Sequence, residues 1–212
     1  MKIGTSSILF SSLMFLSGCA NFQAGTNIQS GRLALLTGNG ETALGYFQRA
    51  AELDPNCAYG SALKQGISSY IGRAEYTAGR YQQAQQTLQK VVDTNKDEDV
   101  AKLFLGLSLA RTGDRQRSLT DIESGMKGIN NFLEYVTQTF RFSFGQFWDP
   151  ARQIRNQIQI DLAMISGRDL NWDKLIADGE WIGKQIEEEG DRARNDEQRD
   201  RARDSEGNGS TK

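Results

Sequence analysis

The sequence predicts an all-α fold: about three helical hairpins stacked in succession, closed by further helices at the C-terminal end. Three observations predict it. Glycines come in pairs, Gly31 with Gly38, Gly72 with Gly79 and Gly106 with Gly113, each pair seven residues apart. One member of a pair suits the close crossing of two helices, and the other suits a turn that needs positive φ. Small residues follow the turns, as at Ala43, Ala50 and Ala84. Apolar residues recur at helical spacing, as in Leu63, Ile67, Tyr70, Ile71, Ala74 and Ala78, which puts them on one helix face.

The N-terminus comes first in order. Lys2 precedes an apolar run from Ile3 to Leu16, and Leu16-Ser17-Gly18-Cys19 closes it. That layout is a removable leader, too short to be a permanent span of roughly 20 residues. The four residues resemble a bacterial lipobox. The resemblance implies cleavage after residue 18 and a mature chain that begins with Cys19, lipid-modified on its thiol and carrying fatty acids of the palmitate kind. Each buried methylene contributes about 0.8 kcal/mol, and two or more chains anchor firmly. Under the sorting rule of enteric lipoproteins, Ala20 implies an outer-membrane anchor facing the periplasm. The domain plan is then 1–18 signal peptide, 19–25 tether, 26–128 repeats, 129–189 helical cap and 190–212 charged, partly disordered tail.

Composition narrows the chemistry. The chain has a net charge of −2, and −3 once Lys2 is lost with the leader. No basic domain is present to neutralise phosphates, so nucleic acid is not expected as a partner. Cys57 is the one thiol besides Cys19, and one thiol makes no internal disulfide. There is no histidine, which removes the commonest general base and zinc ligand. No catalytic residue is nominated, and no cofactor is expected. Gly38-Asn39-Gly40 opens like a dinucleotide fingerprint, but the next glycine, Gly45, arrives two residues late.

The second and third glycine pairs stand 34 residues apart, one tetratricopeptide period. Ala43, Phe47, Ala50 and Pro55 also fall in the order of that family's second helix, and the chain over 26–128 resembles a tetratricopeptide (TPR) array. Gly79-Arg80-Tyr81-Gln82-Gln83-Ala84 repeats the turn. In the third unit Ser118, Ile122 and Gly125 stand where alanine, an aromatic and alanine are expected. Units one and two are offset by 41 residues, so seven extra residues lie near Cys57 to Lys64. These read as an early start to one long helix, the alternative being a loop containing Gly60 and Gly66.

Beyond the repeats, Phe132, Val136, Phe140 and Phe144 recur every four residues, which suits an aromatic helix face covering the end of the array or touching a partner or a membrane. Phe140 to Phe144 also alternates, as a strand would. Asp149-Pro150 opens a helix through Ile154, Ile158, Leu162 and Ile165. Asn171 caps a last helix with Trp172, Leu175, Ile176, Ile182 and Ile186 inward. Asp169, Asn171, Asp173 and Glu180 match positions of an EF-hand calcium loop, but Lys174 replaces the turn glycine. From Glu187 onward charge dominates, so a solvated extension is expected.

The resemblance implies a non-enzymatic scaffold that binds a protein or peptide of the cell envelope in the groove formed by each unit's first helix. Its groove positions fall on Arg32, Leu35, Ser69, Arg73, Tyr76, Leu103, Leu107 and Arg111. The three arginines suit a partner carrying carboxylates. The competing reading is a carboxylate- or calcium-dependent envelope hydrolase with its site among the acidic residues from Asp161 to Glu180.

Overall fold

The computed structural model describes the backbone of residues 9–60 and 62–207, and side chains from Phe22 to Asp196, residue 61 apart, with a few beyond. Eight α-helices carry almost all of it: α1 (Leu9–Leu36), α2 (Gly40–Leu53), α3 (Ile67–Thr77), α4 (Tyr81–Thr94), α5 (Asp99–Thr112), α6 (Arg115–Thr139), α7 (Gln153–Ser166) and α8 (Trp172–Gly207). Helices α1 to α6 each pack on the next in sequence, and α8 returns across α5, α7 and α1. Among the described residues, no helix is long and apolar enough to cross a membrane. Residues 1–8 of the leader and the side chain of Cys19 lie outside the described part.

The glycine pairs act as their spacing predicts. Gly38, Gly79 and Gly113 have φ of 77°, 76° and 104° and form the turns between α1 and α2, α3 and α4, and α5 and α6. A Cβ on Gly31 would stand 2.6 Å from the ring of Phe47, and one on Gly72 would stand 2.5 Å from Leu88. On Gly106 it would stand 2.6 Å from the backbone nitrogen of Ile122. The contact partner lies sixteen residues ahead each time, so the three crossings are built alike. Ala43, Ala84 and Ser118 are fully buried at equivalent positions. The hydroxyl of Ser118 donates to the carbonyl of Gly106 at 2.8 Å, so the serine is satisfied across the crossing it occupies.

The seven extra residues form a loop, not an early start to α3. Ala58–Tyr59 and Gln65–Gly66 pair as a two-rung antiparallel ribbon. Gly60 has φ 118°, and a Cβ there would stand 1.8 Å from the carbonyl oxygen of Leu63. A helix through this point would forfeit that reversal, and glycine is the residue that permits it.

Helix α6 continues unbroken past residue 128. No strand forms from Phe140 to Phe144; the backbone turns and then makes a single 3₁₀ turn over Phe144–Phe147. Phe140 stacks on Phe144 with ring centres 4.5 Å apart, and Phe132 meets Trp148 edge-on at 5.0 Å. Most of the aromatic stretch thus packs inward, leaving Tyr135 and Phe142 exposed. Asp149 caps α7 from four residues before its start, accepting from the backbone N–H groups of Ile154 and Arg155 at 3.1 and 3.2 Å. Pro150 lies in the preceding turn and not in the helix. Asn171 caps α8 as expected, accepting from the N–H of Lys174 at 3.0 Å.

The charged C-terminal stretch departs furthest from expectation. Helix α8 runs on to Gly207, and Glu187, Glu189 and Ala193 are 3 %, 4 % and 3 % exposed. Two glutamates of an acidic triplet are therefore interior. Burying a carboxylate is tolerable only if it is paired and hydrogen-bonded; the partners of Glu187 come from α1, α3 and the loop before α3, while Glu189 accepts from the backbone N–H of Asp149 at 2.9 Å and pairs with Arg192.

Candidate functional site: the face beneath the last helix

Helix α8 lies on one face of α1, α3 and α5. Going along α8, its contacts run from α5 toward α1. Gly179 sits over Leu107 and Leu103, with its would-be Cβ 2.9 Å and 3.5 Å from them. Gly183 sits over Phe104 at 2.4 Å, and its carbonyl accepts from Arg73 Nη2 at 3.2 Å. Glycines four residues apart form a side-chain-free stripe that brings the α8 backbone down onto α5. Leu175, Ile182 and Ile186 flank the stripe and are fully buried.

Glu187 is the polar centre. Its Oε1 accepts from Arg32 Nε and from the Tyr70 hydroxyl at 3.0 Å. Its Oε2 accepts from Arg73 Nη1 at 2.7 Å and from Gln65 Nε2 at 3.2 Å. Arg32 also reaches Asp191 at 2.9 Å. Two guanidinium groups thus face two carboxylates, and both oxygens of Glu187 are satisfied. Burial works to raise the pKa of Glu187, but the charges of Arg73 and Arg32 outweigh it and hold the pKa at about 2. Burial likewise pushes the Tyr70 hydroxyl well up, and Glu187 pushes it further, so it stays a donor.

A second carboxylate sits two turns earlier. Glu180 accepts from the Tyr76 hydroxyl and from Arg111 Nη2 at 2.9 Å. This pair is half-exposed, and it contributes less than the buried one. At the other end the extra loop closes over α8. Tyr59 lies 4.3 Å beneath the guanidinium of Arg32 and 4.6 Å from that of Arg194, whose N–H also meets the tyrosine hydroxyl. Gln65 bridges Glu187 and Arg73. The seven-residue insertion is therefore part of the site.

Of the eight groove positions drawn from the sequence, Arg32, Arg73, Tyr76, Leu103, Leu107 and Arg111 meet α8. Leu35 is half-buried and lines an open cleft beside α8, together with Leu36, Tyr76, Tyr81 and Phe104. Ser69 is fully buried and lines a separate cleft with Cys57, Gly66 and Glu98. Glu187, Gln65, Tyr70 and Tyr59 were not anticipated. The usable signal was the line Gly179, Gly183 and Glu187 at intervals of four, which sets a carboxylate on the close-contact stripe.

The calcium-loop reading does not survive. Trp172 to Glu180 are helical, Asn171 is a helix cap, and Glu180 is turned to Arg111. No cluster of three or more metal-ligating side chains occurs among the described residues. Of the remaining acidic residues, Asp161 is fully buried on α7 and faces Asp178 of α8. Burial first, and Asp178 second, push its pKa up to about 7. No family model, no curated protein and no solved structure matches the chain.

Proposed function

We propose that the chain is a scaffold of the tetratricopeptide kind, anchored through a lipid on Cys19 to the outer membrane, facing the periplasm, and binding protein partners on the face of α1, α3 and α5. The observation that carries this reading is the seat of α8. Arg32, Arg73 and Arg111, one from the first helix of each hairpin, all take carboxylates from a single helix laid across them. A surface that holds one helix through spaced charge and a side-chain-free stripe has the recognition elements that helix-in-groove binding uses. The repeated glycine crossings supply the array, and the apolar leader ending at Cys19 supplies the anchor.

Two measurements test it. A photo-crosslinking residue placed at Leu35, in the cleft beside α8, should capture a defined envelope protein in cells, identified by mass spectrometry. Replacing Cys19 with Ser should release the protein from membranes. Absence of any crosslinked partner at Leu35, with the protein folded and in place, would reject the scaffold. Replacing all three arginines with Ala is no test of a groove, because Arg32 and Arg73 are 2 % exposed and their removal would disturb the fold.

A further inference from the structure

We infer that α8 is an exchangeable occupant, and that the face it covers is shaped for an acidic amphipathic helix from another protein, which competes with α8 for the same seat. This rests on reading that face as a partner-binding surface. The seat specifies its occupant in three ways. Glu180 and Glu187 lie two turns apart and meet Arg111 and the Arg32–Arg73 pair, so the occupant carries carboxylates seven residues apart. Gly179 and Gly183 lie against Leu107 and Phe104, so it has small residues on the stripe beside them. Ile182 and Ile186 are buried, so apolar residues fill the flank.

The chemistry favours recognition over simple closure of a core. A buried ion pair contributes little against well-packed apolar side chains, yet a mismatched one is costly. Charges at such a seat therefore discriminate between occupants more than they add stability. Arg73 also binds the main-chain carbonyl of Gly183, a contact any helix with a small residue there can supply. Beside α8, Leu35, Leu36 and Tyr81 are half-buried and line an open cleft together with Glu180 and Lys184 of α8. These half-buried apolar side chains give an incoming helix a first hold. The connection into α8 is a short, mostly exposed stretch from Gly167 to Asn171.

The test uses the full chain with Cys19 and Cys57 changed to Ser, and a fluorescein-labelled synthetic peptide of residues 172–200 followed by anisotropy. The peptide is expected to bind Glu180→Gln/Glu187→Gln protein at least tenfold more tightly than the otherwise wild-type chain, because the cis competitor is weakened. A peptide carrying the same two substitutions should bind that protein at least tenfold more weakly. A second variant, Leu107→Cys with Gly179→Cys, staples α8 to its seat; peptide should bind when it is reduced and not when it is oxidised. Equal binding by wild-type and weakened chains of unchanged circular dichroism overturns the inference. If the weakened chain does not fold, equal behaviour of oxidised and reduced staple does so. A wild-type chain that is a dimer through exchanged α8 also overturns it, since the occupant would then be a second copy. Peptide exchange without any partner crosslinked at Leu35 in cells would retain the exchange and discard the scaffold. Crosslinks that persist in the oxidised staple would do the reverse.

Discussion

Replacing Glu187 with Ala deletes a carboxylate that accepts four hydrogen bonds and leaves Arg32 and Arg73, both 2 % exposed, without their shared counter-charge. Breaking a buried pair by removing one partner costs about 3–5 kcal/mol. An independent route gives a similar size. The carboxyl has a pKa of about 2 in the fold against 4.5 in an open chain, and at 1.36 kcal/mol per unit that difference amounts to about 3 kcal/mol at neutral pH. Because the folded value is the lower one, this stability is fully present above about pH 4.5 and is lost as the pH falls toward 2. Thermal melts at pH 7 should therefore place the variant roughly 6–20 °C below the wild type for a domain of this size. The gap should close as the pH falls from 5 to 2. A loss below about 1 kcal/mol, or a gap independent of pH, would refute the account of Glu187 as the paired centre of the site. Replacing Arg32, Arg73 and Glu187 together with Met, Met and Leu should restore much of the stability.

Further outcomes follow from the crossings and from α7. Gly106→Ala puts a Cβ 2.6 Å from the Ile122 nitrogen and 2.9 Å from the Ser118 carbonyl, both main-chain atoms, and should cost about 1–3 kcal/mol in denaturant titrations. Gly45→Ala, with nothing within 4 Å of its Cβ and a helical backbone, should stabilise the protein by up to about 1 kcal/mol. Gly79→Ala must adopt φ near 76° and should cost about 1–2 kcal/mol by the same titration. Asp161 holds its proton up to about pH 7 in the fold against 3.8 outside it, so its contribution falls as the pH rises between those values. Asp161→Asn should flatten the melting temperature over that window and leave the variant a few degrees above the wild type at pH 8.

The hairpins were legible because glycine leaves a position-specific trace: a pair seven residues apart marks both a crossing and a turn, and each does what its place requires. The inner positions of α1, α3 and α5 were legible for the same reason, once the period was known. The loop at 57–66 was not, since the series through Leu63 and Ile67 fits a helix while Gly60 and Gly66 fit a reversal, and tertiary contact through Tyr59 and Gln65 decides between them. Nor was the burial of Glu187 and Glu189. Composition reads a run of charges as a solvated surface, and the arginines that offset the desolvation of Glu187 lie more than a hundred residues away, while Glu189 is held by Arg192 and by the backbone N–H of Asp149. Long-range pairing of this sort has no local signature. Gly179 and Gly183 were the only nearby hint, and a glycine within a helix has several uses.

The order in which the chain is made bears on the α8 seat. Helix α8 is synthesised after the helices it covers, and the surface of Leu103, Phe104 and Leu107 beneath it is complete once residue 112 has emerged. At ribosomal speeds of about 5–20 residues per second, the nascent protein carries that greasy strip bare for roughly 5–20 s. During this interval the strip is open to holdase chaperones and to neighbouring unfinished chains. A truncation that stops before residue 172 makes the interval permanent, so a stop codon placed between residues 113 and 171 should yield an aggregating product instead of a shortened working one.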